Sequence, residues 1–227
     1  MSSTINPSER EIGVDIVTIT KNAEESLPLT LKSVSEQNYP CINHIIIDGK
    51  STDNTLKVIS NFEHSKKMIV VTQQGIGISA AFNTAILQVK GDLIIFLNSG
   101  DCLVNDNVVK NIVDSYLGEK WLWAVGETIS VSKNKIFQKY NKQYRIWNQN
   151  LFLYKNPICH QSTIYSKKII DMVGFYDEKL EMEMDYDFNI RVKIDFTSSG
   201  YTNIIIDIIG LLNTLIRFLI IPVKIWF

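Results

Sequence analysis

The chain has 227 residues, with 23 Lys and Arg against 24 Asp and Glu, and a formal charge of −1. No broadly basic surface advertises nucleic acid as a partner, and the length suits one α/β domain with a short appendage. The three cysteines, Cys41, Cys102 and Cys159, lie far apart and form no Cys-x-x-Cys pair, which excludes a close-spaced zinc site and a disulfide framework and points to a reducing cytoplasm.

Residues 1–11 are polar, lack the apolar core of a signal peptide and read as a flexible tail. Residues 13–20 form a Val/Ile-rich strand, followed by a polar loop at 21–25. Ser26-Leu27-Pro28 opens a helix, with Pro in the first turn where its missing N–H costs nothing; this helix buries Leu27, Leu31 and Val34 and ends before Tyr39-Pro40. Residues 43–47 make a second strand, and Asp53 caps a helix that carries Leu56, Val58, Ile59 and Phe62. A third strand at 68–72 leads through the turn Gly75-Ile76-Gly77 to a helix at 79–89. A fourth strand at 93–97 and a helix at 105–117 complete an alternation of strand and helix. Such alternation marks a mostly parallel sheet flanked by helices.

Beyond residue 120 the pattern changes. Residues 121–131 and 135–140 read as strands, and aromatics crowd 140–154, among them Tyr144, Trp147 and Phe152. A short strand at 162–165 precedes a helix at 167–173 stopped by Gly174. An acidic loop at 176–184 leads to a helix at 185–194. The last stretch, from Ile204 to Phe227, is dominated by Ile, Leu, Val and aromatics, with Asp207, Asn213, Arg217 and Lys224 drawing one narrow polar stripe at helical spacing. Its uninterrupted apolar run is short for a membrane span of ~20 residues. A helix lying in a bilayer interface and a core helix or dimer seam both fit it.

Two strands run out into carboxylate-bearing turns. Leu93-Ile94-Ile95-Phe96-Leu97 ends in Asn98-Ser99-Gly100-Asp101, and Ile45-Ile46-Ile47 ends in Asp48-Gly49-Lys50-Ser51-Thr52-Asp53. Ligands of open α/β sheets bind beyond the carboxyl ends of such strands, so the pair suggests a nucleotide–metal site. Turn chemistry and helix capping use the same residue types, and Asp53 reads as a cap.

Taken in order, further stretches carry a resemblance: Val17-Thr18-Ile19-Thr20-Lys21-Asn22, Leu31-Lys32-Ser33-Val34 with Gln37 and Tyr39, Gly77-Ile78-Ser79-Ala80-Ala81-Phe82-Asn83, His160-Gln161, Val173-Gly174-Phe175-Tyr176-Asp177 and Asp185-Tyr186-Asp187-Phe188-Asn189-Ile190-Arg191. With the two strand-end motifs they make residues 15–191 resemble a family 2 glycosyltransferase of the GT-A fold, similar to bacterial enzymes of exopolysaccharide, O-antigen and capsule synthesis. The resemblance implies a domain at 12–195, with a nucleotide-sugar half at 12–120 and an acceptor half at 121–195, followed by the apolar helix at 196–227.

It also implies an inverting transfer of a sugar from a nucleotide-diphosphate donor to a lipid-linked or glycan acceptor in cell-surface polysaccharide synthesis, at the cytoplasmic face of the cell membrane. Asp101 matches the ligand of a divalent metal, magnesium or manganese, which would neutralise the departing diphosphate. Asp48 would accept hydrogen bonds from base or ribose. Thr18, Thr20 and Asn22 would frame the base, and Ser79, Asn83 and Asn98 stand at further donor-binding positions. Asp185 matches the base that takes the acceptor hydroxyl proton, a role compatible with capping its helix. His160 and Gln161 fall on the acceptor or diphosphate side, while Arg191 is expected to pair with Asp187 at i, i+4.

Departures leave a second reading open. Asn98 and Gly100 stand where the family often carries carboxylates, Ala80 replaces an acid, and the region after Arg191 differs. A catalytically impaired, glycosyltransferase-like binding module would explain these. A nucleotidyltransferase would use the same strand-end logic but would need a Gly-rich basic triphosphate loop, which residues 21–28 do not supply.

Overall fold

The computed structural model describes residues 11–126, 128–132, 135–137, 156, 158–180, 182–195, 208–212 and 216–217. In chain order the first half gives β1 (Val14–Thr20), α1 (Leu27–Ser35), β2 (Ile42–Asp48), α2 (Thr55–Asn61), β3 (Lys67–Thr72), α3 (Ile78–Ile86), β4 (Leu93–Phe96), β5 (Cys102–Leu103) and α4 (Val108–Glu119). The second half gives β6 (Trp123–Val125), β7 (Thr128–Ser132), β8 (Lys135–Phe137), a 3₁₀ turn at His160–Ser162, β9 (Thr163–Ser166), α5 (Lys167–Val173), α6 (Met184–Asp195), β10 (Ile208–Leu212) and β11 (Ile216–Arg217).

The main sheet has six strands in the order β3-β2-β1-β4-β9-β6. The first four run parallel, and β9 lies antiparallel to both β4 and β6. This is the mostly parallel architecture expected, with two strands of the second half added at one side.

β4 shows why its sequence reads as an unbroken apolar run. Leu93 and Ile95 pack on one side with Val109, Ile112 and Val113 of α4. Ile94 and Phe96 pack on the other with Phe82 of α3, Ile169 of α5 and Phe188 of α6. Successive side chains of a strand face opposite ways, so a strand covered on both faces has no polar position. A third cluster joins Leu27 and Leu31 of α1 to Ile46 and Ile59.

At the edge of the sheet away from the strand ends, Asp15 fixes the start of β4. Its Oδ2 accepts from the backbone N–H groups of Lys90 at 2.5 Å and Gly91 at 2.7 Å, and its Oδ1 accepts from Asn43 Nδ2 at 2.7 Å. A Cβ on Gly91 would stand 2.8 Å from Gly13 O and 3.0 Å from Asp15 Cγ, so only glycine passes here.

Several expectations need correction. The strand expected at 121–131 is two strands in two sheets, β6 ending at Val125 and β7 beginning at Thr128. Of the apolar residues that α2 carries, Leu56 is exposed, because the helix has only seven residues and buries Thr55 and Ile59. The helix expected over 204–227 is not what the described residues within it form. Ile208–Leu212 and Ile216–Arg217 are strands of a second sheet, in the order β5-β10-β11-β7-β8. A β-branched run such as Ile208-Ile209 fits a strand better than a helix once a partner edge is at hand, and β5 and β7 supply the edges. The remainder of that stretch, the tail at 1–10 and the aromatic segment 140–154 lie outside the described residues.

Candidate active site

The carboxyl ends of β1, β2 and β3 open onto a cleft of about 390 Å³, lined by residues from β1 (Ile19, Thr20) with Lys21, by Gly49, Lys50 and Gln73, and by the 75–78 turn with Ala81. Glycine is required at three positions along this wall. Gly75 and Gly77 have φ of 76° and 91°, the left-handed region that other residues avoid. Gly49 lets the loop after β2 close on β1, since a Cβ there would stand 3.1 Å from Lys21 Cβ and 3.2 Å from Thr20 O.

Thr20 and Asp48 are register partners at the last rung of β1 and β2. Thr20 Oγ1 and Asp48 Oδ1 are buried without a hydrogen-bond partner, while Asp48 Oδ2 accepts from Ser51 N–H at 3.1 Å. Leaving buried polar oxygens unpaired costs free energy. A pair of them side by side at the end of the cleft strands suits a ligand that brings its own donors.

Other predicted donor residues build the frame. Thr18 Oγ1 lies 2.8 Å from His44 Nε2 inside the β1–β2 layer. Asn22 (φ 49°) turns its Oδ1 to Thr52 N–H at 2.8 Å and so ties the 48–53 loop down. Ser79 Oγ donates to Leu180 O at 3.1 Å. Asn83 is engaged at both ends: Oδ1 accepts from Tyr176 N–H at 2.8 Å, and Nδ2 donates to Tyr176 O at 3.0 Å and Glu178 Oε1 at 2.9 Å. None of these four lines the cleft, and Asp48 itself stands behind the wall that its neighbours Gly49 and Lys50 form. Ala80 is buried under the Gly75 turn, with its Cβ 3.0 Å from the place a Cβ on Gly75 would take. The cap position of α2 expected for Asp53 is taken by Asn54; Asp53, one residue earlier, accepts from Thr55 N–H at 3.0 Å and Thr55 Oγ1 at 2.6 Å and braces the same end.

The turn after β4 carries Asn98 and Asp101. Thr30 of α1 holds it: Gly100 N–H donates to Thr30 Oγ1 at 2.9 Å, and that hydroxyl donates to Asp101 O at 2.7 Å. Asn98 Oδ1 is buried without a hydrogen-bond partner. Among the described residues no group of three or more His, Cys, Asp and Glu could hold a metal ion by itself. The turn nonetheless offers hard oxygen donors from Asp101 and Asn98, the chemistry that magnesium and manganese accept when a ligand supplies the remaining oxygens.

Asp185 stands in the first turn of α6, half-buried, where a helix favours negative charge. Asn156 Nδ2 donates to its Oδ2 at 2.9 Å. His160 is buried among aromatic rings, stacked on Phe96 at 5.4 Å and edge-on to Phe82 at 4.8 Å, and neither ring nitrogen has a hydrogen-bond partner. Burial pushes its pKa down to about 4 against the pull of the Asp185 charge, so the ring is neutral. Gln161 Oε1 accepts from Cys159 Sγ at 3.1 Å. Arg191 forms the expected pair, with Nε 3.0 Å from Asp187 Oδ2.

The sequence reading missed Lys21, Lys50 and Gln73 as cleft residues and Asn156 as the partner of Asp185. The first three follow residues already singled out at strand ends, a signal that could have found them. Asn156 carries no local signal, because it meets Asp185 only through the fold.

Comparison with known proteins agrees with this fold. The model of the family described as Glycosyl transferase family 2 matches residues 15–171. A PGL/p-HBAD biosynthesis glycosyltransferase of Mycobacterium bovis is 25% identical over 179 residues, covering 78% of this chain and 68% of that protein. Among solved structures, S. aureus TarS 1–349 in complex with UDP superposes with a TM-score of 0.68 at 16% identity, over 85% of this chain and 61% of that one. Mannosyltransferase PcManGT from Pyrobaculum calidifontis, in complex with GDP-Man and Mn2+, gives 0.63 at 16% identity, over 87% and 56%. The chain thus spans about three fifths of these solved chains, and the likeness establishes the GT-A type of fold.

Proposed function

This chain belongs to glycosyl transferase family 2, and from that premise we propose that it is an inverting transferase moving a sugar from a nucleotide-diphosphate donor to a lipid-linked or glycan acceptor in cell-surface polysaccharide synthesis. The observation that carries the reading is the pair of buried, unpartnered oxygens of Thr20 and Asp48 on the last rung of β1 and β2. The cleft holds the nucleoside, with Thr20 and Asp48 as its polar anchors and Lys21 and Lys50 on its wall. The diphosphate lies towards the turn after β4. A divalent cation, magnesium or manganese, held there by Asp101 and Asn98 together with the diphosphate oxygens, would neutralise the leaving group as a Lewis acid. Asp185 takes the proton of the acceptor hydroxyl as that oxygen attacks the anomeric carbon from the face opposite the diphosphate.

Lipid-linked acceptors place the enzyme at the cytoplasmic face of the cell membrane. Among the described residues no helix is long and apolar enough to cross a membrane. The contact with the bilayer in this reading is peripheral, through the apolar stretch 204–227, whose composition supports it.

The test is a panel of UDP-, GDP- and dTDP-hexoses, with and without Mn2+. At least one should raise the melting temperature and be cleaved to the nucleoside diphosphate, with inverted configuration at the anomeric carbon. No stabilisation by any of them would overturn the donor site. Tight binding without turnover would favour the binding-module reading instead.

A further inference from the structure

Among the described residues one hydrogen bond reaches the Asp185 carboxylate, from Asn156 Nδ2 to Oδ2 at 2.9 Å. The amide is itself oriented. Its Oδ1 accepts from the backbone N–H of Ile158 at 3.2 Å, and a carboxamide whose oxygen is taken by a backbone donor presents its NH₂ to the other side. Ile158 is buried, and the next residue is tied into the sheet, since Cys159 O accepts from Ser162 Oγ at 3.1 Å and from Thr163 Oγ1 at 2.9 Å. Asn156 is thereby fastened to β9, which pairs with β4, the strand that runs into the Asp101 turn. One side chain thus links the α6 carboxylate to the frame that carries the metal turn.

We propose that Asn156 is the positioning residue of the base: it holds the Asp185 carboxylate by Oδ2 and leaves Oδ1 turned to the acceptor hydroxyl. This rests on the reading of Asp185 as the base. The bond is charge-assisted and stronger than one between neutral groups. It also removes a rotation that Asp185 would otherwise have to lose at the moment of attack, when the reacting atoms must be aligned. Asn156 itself does not touch the transferred proton.

Asn156→Leu is the sharpest variant, because it keeps the size of the side chain while removing the donor to Asp185, and it sets no second carboxylate beside the base, as Asn156→Asp would. We expect kcat for hydrolysis of the fastest-cleaved nucleotide sugar of the panel to fall roughly 10- to 100-fold, the usual weight of a hydrogen bond to a charged group, with KM for that donor unchanged. Asn156→Ala should behave likewise. Asp185→Asn should lower kcat by roughly 10²–10⁴-fold, and adding Asn156→Ala to it should lower kcat no further, the signature of two residues acting as a unit. Equal losses from Asn156→Ala in both backgrounds, or a rise in donor KM matching the loss in kcat, would reduce Asn156 to a structural residue and overturn the proposal. Full activity of Asp185→Asn would overturn the base itself, a different result from the loss of coupling. Independently of any donor, the Asn156 side-chain amide signal in a ¹⁵N NMR spectrum should shift in Asp185→Ala; an unmoved signal would refute the contact.

Discussion

Asp101 divides its work between backbone and side chain. Its carbonyl accepts from Thr30, whose hydroxyl also receives Gly100 N–H, so the shape of the turn rests on α1 and survives loss of the carboxylate. Asp101→Ala is therefore expected to fold normally and to lose the Mn2+-dependent part of donor affinity, read as the difference in UDP affinity with and without chelator. Equal affinity in all four combinations would remove Asp101 from the metal. Gly91 is the opposite case, a residue whose whole role is absence of a side chain. Gly91→Ala forces its Cβ against Gly13 O and strains the clasp of Asp15 on Lys90 and Gly91. A loss of about 1–3 kcal/mol in a urea melt is expected, as for overpacking elsewhere, and an unchanged midpoint would show that β4 can shift to make room.

At the scale of elements, what the sequence made legible was decided by covering. Leu93–Phe96 is enclosed on both faces, and its strand, its carboxyl-end turn and Asp101 could all be read from a run of apolar residues. Gly174 ends α5 at Val173 with a φ of 81°, a stop written in one residue. The donor positions were harder. Asn83 and Ser79 have the polarity of ligand-binding residues, yet their atoms hold the 176–180 loop, a long-range choice that no local pattern encodes. Within the 204–227 stretch, Ile208–Leu212 and Ile216–Arg217 depart from the expected helix for another reason. Its polar spacing fits a helix, but short apolar runs are ambiguous in period, and the edges offered by β5 and β7 lie far away in sequence. This bears on membrane contact. Because β10 pairs with both β5 and β7, deletion of residues 204–227 should lower the melting temperature as well as any binding to anionic vesicles. A truncated protein as stable as the full chain would leave the segment to the bilayer alone.

Across the whole molecule, the histidines tie the stability of the fold to pH. The sequence contains three histidines, and all three are held below the ordinary range. Burial, reinforced by His64, pushes His44 down to about 3. His160 is pushed down to about 4 by burial, and burial also lowers His64. His44 and His64 form one directed chain. Lys66 N–H donates to His64 Nδ1 at 3.0 Å, so His64 Nε2–H donates to His44 Nδ1 at 2.9 Å and His44 Nε2–H to Thr18 Oγ1 at 2.8 Å. A proton added to either ring breaks a link. The unfolded chain binds these protons near pH 6.5, whereas the folded chain binds those of His44 and His160 only near pH 3 and 4 and that of His64 below the ordinary range, so stability is fully present above about pH 6.5 and falls with pH towards 4 and then 3. Thermal unfolding should show a melting temperature that drops between pH 7 and 5, with uptake of about two protons per molecule at pH 5. His44→Asn should flatten that slope, and a melting temperature indifferent to pH over this range would show the histidines to be ionised in the native state.

The antiparallel β9 beside β4 also governs how the protein is made. Residues 11–120 carry β1 to β5 and α1 to α4, yet without β9 they would leave β4 as an open edge of four buried apolar residues, and unpaired apolar edges invite pairing with other chains. During synthesis this edge waits for Thr163–Ser166 to leave the ribosome before it can close. The interval between those two events is when a nascent chain is most in need of a chaperone, and it is built into the order of the strands.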